Sequence, residues 1–199
     1  IPYPLEKGDK LRAFNQIKQL AKRNEIILCA LNDNKKVNEQ DAFHALQPYC
    51  QSINFIKITK PQIGLGLVRA FFKGLPMQCG YFYNRKAAKK VSALIAKHKP
   101  EMLFCQLLRT AEYIRHKDIP KTIDYQDIFS YGMKRRADVA SFVTRPIYNM
   151  EYRRLCRYEA AIFDDFDVKT IISAPDRDLF PHERRNEILI VPNGVDHEK

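Results

Sequence analysis

The chain has 199 residues, 45% of them hydrophobic and 29% charged, and a formal net charge of +11 at neutral pH. Those proportions suit a soluble globular protein and exclude an intrinsically disordered one, and no apolar run approaches the roughly 18 residues of a membrane span. The positive balance favours anionic partners (nucleic acid, acidic lipid headgroups or phosphorylated substrates) without choosing among them.

In chain order, a proline-rich opening, Ile1-Pro2-Tyr3-Pro4, carries no signal-peptide pattern and leads into a helix. Leu11, Phe14, Ile17, Leu20 and Ala21 share one face of it, and Asp9 is placed to cap it. Residues 26–31 form a continuous, partly β-branched apolar run, as expected of a strand buried on both faces. Further strands are predicted near 53–58, 101–105, 121–125, 169–173 and 188–191. Between them lie a short helix near 42–46, an apolar helix with basic edges over 60–73, a helix over 87–97 and a long helix near 147–166. This alternation predicts a Rossmann-like α/β fold: a mainly parallel sheet with helices on both faces. The strand that such a fold places before the first loop is not in the chain, so the sheet is expected to have a gap or weak point.

The five cysteines are odd in number and widely spaced, with no Cys-x-x-Cys pair. That pattern points to free thiols in a reducing cytoplasm, and the metal-ligand spacings of zinc sites are absent. No Walker loop, His-Glu-x-x-His segment or nucleic-acid-binding module is present.

Ligands of open parallel sheets bind beyond the carboxyl ends of the strands, which directs attention to the loops. Gly8, Asp9, Lys10 and Arg12 surround a helix start that offers free N–H groups and positive charge to an anion, or else form an ordinary capped helix. Asp124 and Asp127 lie at the end of the fourth strand. They can orient sugar hydroxyls or supply a base, with Asp127 as a helix cap the other reading. Gln106 and Arg109 follow the third strand, and Arg109 can hold a phosphate or lie on a helix surface. Gly64 and Gly66 begin a dinucleotide-like pattern, but Arg69 stands at the third glycine position. The 60–73 helix is expected to face the core, with a surface that touches a membrane the alternative.

Several segments, taken in order, resemble glycosyltransferase family 4, especially a bacterial exopolysaccharide subgroup. Pro2-Tyr3-Pro4 with Lys7-Gly8-Asp9-Lys10-Leu11-Arg12 resembles the first loop and helix. Asp124-Tyr125-Gln126-Asp127-Ile128-Phe129-Ser130 resembles an Asp-x-x-Asp-x-x-Ser segment. Tyr158-Glu159, Phe166, Ile172-Ser173 and Asp176 are similar to the helix and strand that follow. Pro192-Asn193-Gly194-Val195-Asp196 is similar to the junction between the two halves of such enzymes.

The resemblance implies the acceptor-side half of a two-domain GT-B enzyme, residues 1–199, which transfers a sugar from a nucleotide-sugar donor with retention and without a metal or other cofactor. By that resemblance Gly8, with Lys10 and Arg12, lies near the donor phosphate, and Asp127 or Asp124 faces the transferred sugar. The acceptor would be a glycan or lipid-linked, reached in the cytoplasm at the inner face of the membrane, with peripheral lipid contact and no nucleic acid. The nucleotide sugar would be shared with a C-terminal donor domain that does not follow Lys199, so this stretch alone is not expected to catalyse transfer. The alternatives are a free-standing basic module for nucleic acid or lipid headgroups, and a sugar-nucleotide epimerase.

Overall fold

The computed structural model describes residues 1–34 and 37–194. In chain order the elements are α1 (Gly8–Leu20), β1 (Ile27–Asn32), α2 (Glu39–Leu46), β2 (Ser52–Lys57), α3 (Lys60–Lys73), α4 (Met77–Phe82), α5 (Arg85–His98), β3 (Leu103–Gln106), β4 (Lys121–Asp124), α6 (Phe129–Val139), α7 (Arg145–Ala161), β5 (Val168–Ile171), α8 (Ala174–Leu179) and β6 (Leu189–Ile190). Every strand pair is parallel. The fold is mixed α/β of Rossmann-like kind, and each of the six expected strands is present within a few residues of its predicted place. No helix among the described residues is long and apolar enough to cross a membrane.

The strands form two sheets rather than one, β1-β2 and β3-β4-β5-β6. The chain likewise divides into two compact units, one of residues 1–63 with 84–99, the other of residues 64–83 with the chain from Pro100 onward.

In the first unit, β1 and β2 pair from Ile27–Ser52 to Asn32–Lys57. Ala13, Ala30, Ala42, Leu46, Ile56, Ile58 and Ala87 are buried there. Helix α1 departs from expectation at both its cap and its face. Lys7 holds the N-cap position without a side-chain bond, and Asp9 lies inside the first turn. The buried residues are Arg12 and Ala13, whereas Leu11 and Leu20 of the expected apolar face are exposed. Helix α5 is capped by Asn84, whose side chain accepts from the Ala87 N–H at 2.8 Å.

The second unit holds the main core. Ile123, Leu155, Ile162, Phe163, Phe166, Ile171 and Phe180 are essentially inaccessible and pack as one cluster. Burial on both strand faces is not general: Phe104, between buried Leu103 and Cys105, is exposed, as are Leu189 and Ile190 in β6. The long helix is also shorter than expected, because α7 stops at Ala161 and a 3₁₀ turn, Phe163–Asp165, precedes β5.

Helix α3 is not core-facing in the expected sense. Its buried residues are the small Gly66 and Ala70, while Leu65, Val68, Phe71 and Phe72 are exposed. The reason is close approach to α4: Gly80 of α4 sits so near Gly66 that a Cβ on either residue would strike the other's backbone. Gly66 therefore serves helix packing, and the dinucleotide-like pattern has no other support.

Candidate functional site

The carboxyl end of β1 opens into a cleft of about 390 Å³ within the first unit. Glu6, Lys7 and Lys10 line it from the start of α1, and Asn32, Asp33 and Asn34 line it from the end of β1. Asn32 organises this edge. Its side-chain amide donates to Glu39 Oε1 at 2.7 Å, and its Oδ1 accepts from the Asn34 N–H at 3.0 Å. Glu39 is paired in turn with Lys57 at 3.5 Å. The loop after β1 is therefore fixed by side-chain bonds, and Asp33 and Asn34 stand exposed on it. Two lysine ammonium groups stand here with two carboxylates, Glu6 and Asp33, and two amides, a polar set that suits a ligand carrying both phosphate and hydroxyl groups.

Of the residues singled out from the sequence at this helix start, only Lys10 lines the cleft among the described residues. Arg12 is buried in the helix packing, and Gly8 has open space where a Cβ would stand. Lys7 lies within the segment singled out at the helix start but was given no role there, and sequence reasoning missed the Asn32-Asp33-Asn34 run. The signal was available, since that run directly follows the apolar residues of the first strand.

The other candidates lie in the second unit, at the carboxyl ends of β3 and β4. Gln106 and Asp124 are register partners at the ends of those neighbouring strands. Asp124 is fully buried, and its Oδ1 accepts from the Thr170 hydroxyl at 2.9 Å. Asp127 is exposed. Helix α6 begins at Phe129, and its N-cap position is Ile128, which makes no side-chain bond. Arg109 lies over the rings of Phe82 and Phe129, 4.9 and 5.5 Å from their centroids.

Both strand ends turn through unusual backbone: Leu107 has φ of 66° and Gln126 a φ of 62°. Non-glycine residues held there cost on the order of 1–3 kcal/mol and cluster at functional sites. Beneath this edge is a buried polar group that the sequence did not reveal. Glu159 of α7 accepts from the Ser130 N–H at 3.1 Å, while its second oxygen, the Tyr125 hydroxyl and the Gln126 side-chain nitrogen are buried without a hydrogen-bond partner. Burial raises the Glu159 carboxyl from 4.5 to about 7, against the lowering effect of its bonds to Ser130 and Phe129. The Tyr125 phenol is pushed well up, first by burial and then by the Glu159 charge.

The family-like Ser173 and Asp176 have a local role. Ser173 Oγ accepts from the Asp176 N–H at 3.3 Å and caps α8. Val195 and Asp196 of the junction-like segment lie outside the described residues. The five cysteines are unpaired thiols, and burial pushes Cys105 up to about 12. Among the described residues no three His, Cys, Asp or Glu side chains converge as metal ligands would. Comparisons with protein-family models, with characterised proteins and with solved structures find no match to this chain.

Proposed function

We propose that this chain is the N-terminal, acceptor-side half of a retaining glycosyltransferase that moves a sugar from a nucleotide-sugar donor to a glycan or lipid-linked acceptor. The observation that carries this reading is the cleft where Lys7 and Lys10 meet Asn32, Asp33 and Asn34 beyond a parallel strand. A phosphate finds cations there, and sugar hydroxyls find amide and carboxylate partners. The ordered resemblance to family 4 supports the same reading and implies no metal.

Of the two carboxylates at the end of β4, Asp127 is the better candidate to face the transferred sugar, because Asp124 is buried and engaged by Thr170. Gln106 and Arg109, at the end of the neighbouring strand, are proposed as further ligand contacts. The work would be done in the cytoplasm at the inner face of the membrane. There the basic, apolar 60–73 helix would meet lipid headgroups, and nucleic acid is not an expected partner.

The test is a transfer assay with the full-length gene product, a panel of nucleotide sugars and extracted lipid-linked acceptors. Transfer with one donor is expected. Lys7→Ala with Lys10→Ala is expected to raise KM for the nucleotide-sugar donor roughly tenfold with a smaller effect on kcat, as loss of uniform binding does. No transfer with any donor, together with an affinity for DNA or RNA that falls steeply with salt, would replace this reading with that of a basic binding module.

A further inference from the structure

Helices α6 and α7 pack along each other and are joined by residues 140–144. At this turn the chain does something unusual for a folded surface. Val139, Phe142, Val143 and Ile147 are exposed at 87%, 92%, 78% and 60%. Isolated exposed apolar side chains need no explanation, but four within nine residues at one tip form a patch.

The charge around the tip is mostly positive. Lys134, Arg135 and Arg136 on α6 and Arg145 at the start of α7 are all exposed. Between residues 134 and 148 the one carboxylate is Asp138. Tyr131 underlies this collar, with the Lys134 ammonium and the Arg135 guanidinium 5.9 and 5.5 Å from its ring centroid. The turn also satisfies its own polar groups. Ser141 and Thr144 share a hydroxyl bond of 3.0 Å, and the Thr144 and Arg145 N–H groups donate to the Ser141 carbonyl at 3.1 and 2.9 Å. A turn bonded in this way loses less on leaving water than one whose backbone depends on solvent.

We propose that this α6–α7 tip anchors the protein on anionic phospholipid bilayers, with Phe142 and Val143 entering the acyl boundary and the basic collar resting on the headgroup phosphates. An apolar point inside a cationic ring matches an anionic plane laid over hydrocarbon. A folded acidic partner would have to offer a socket for so small and protruding a tip. The anchoring is independent of the transferase reading and of any ligand in the first-unit cleft.

The test uses vesicles of phosphatidylcholine with and without phosphatidylglycerol. The chain has no tryptophan, so Phe142→Trp creates a single fluorescent reporter at the tip. Its emission is expected to shift to the blue on anionic vesicles and not on neutral ones, and the shift to fade with rising salt. In flotation, Phe142→Ser with Val143→Ser is expected to weaken anionic-vesicle binding roughly tenfold with an unchanged circular dichroism spectrum, and Arg135→Glu with Arg136→Glu to do the same. Unshifted emission on anionic vesicles overturns the proposal. So does binding of the serine variant within about twofold of the original. Equal binding to neutral vesicles, or matching losses on soluble polyglutamate, points to another partner and overturns it as well.

Discussion

Glu159, near the end of α7, accepts a 3.1 Å hydrogen bond from the backbone N–H of Ser130, in the first turn of α6. A carboxylate from one helix thus caps another that has no side-chain cap of its own, and it does so inside the protein, where ionisation is costly.

The pH dependence of stability follows from that burial. The folded-state value of about 7 lies above the ordinary 4.5, so between the two the folded chain binds more protons than the unfolded one. The favourable contribution is complete below 4.5 and is lost as pH rises through 7, and it amounts to on the order of 3 kcal/mol. Glu159→Gln keeps an acceptor for Ser130 and removes the titration. Urea unfolding at several pH values between 5 and 8 is expected to show the original chain losing stability relative to this variant as pH rises. Parallel profiles would mean that Glu159 is not held in a poorly solvated site.

The two glycines of α3 should respond in opposite ways to alanine. At Gly66 a Cβ would strike the Gly80 carbonyl and lie 2.9 Å from that of Tyr83, both backbone atoms. Gly66→Ala is expected to destabilise by roughly 1–3 kcal/mol through forced separation of α3 and α4. At Gly64 nothing lies within 4 Å, so Gly64→Ala is expected to stabilise by about 0.5–1 kcal/mol through helix propensity. Thermal melts of the two variants should move in opposite directions.

The six strands were legible as short runs rich in apolar residues, most of them with β-branched members, although Leu103–Gln106 has none and was marked by its apolar run after Lys99-Pro100. Helix α6 was not, since Phe129–Val139 holds Gly132 and three consecutive basic residues and shows no apolar period. Helices α4 and α8 have six residues each, too few for a periodic signal. In α3 the apolar content was read correctly and its direction was not, because closeness to α4 selects the small residues for the inner face. Part of the cleft was readable: Lys10 was singled out at the helix start, while Asn32, Asp33 and Asn34 passed for ordinary loop. The Glu159–Ser130 bond spans 29 positions, and no local pattern could have revealed it.

Arg115 holds a network in the second unit and should not tolerate lysine. It meets Asp165 through Nε at 2.8 Å and a terminal nitrogen at 2.7 Å, and Glu112 at 3.1 Å. Glu112 also accepts from the Tyr158 hydroxyl at 2.9 Å. Lysine keeps the charge but cannot serve both carboxylates with a planar fork. Arg115→Lys is expected to cost about 1–3 kcal/mol in chemical denaturation, since the partners are mostly buried. A change of under about 0.5 kcal/mol would place the network among surface pairs of little worth.

The last prediction separates the proposed site from mere structure, in a transfer assay on the full-length gene product. Asp127 is exposed, and the cap position of α6 belongs to Ile128. Asp127→Asn keeps the size and capping ability of the side chain and removes its charge. A loss of roughly 100-fold or more in the rate constant would fit an electrostatic or proton-transfer role. A loss under about threefold would leave Asp127 without a catalytic part and turn attention to Asp124 or to another domain. Gly8→Val probes the first loop in the same assay. Open space surrounds the Gly8 Cα, so the chain itself accommodates a side chain there. A strong fall in turnover with an unchanged melting temperature is expected if donor phosphates approach the backbone at that point, because a branched side chain would occupy their place. If both variants keep full activity, the assignment of Gly8 and Asp127 is wrong even where transfer is observed.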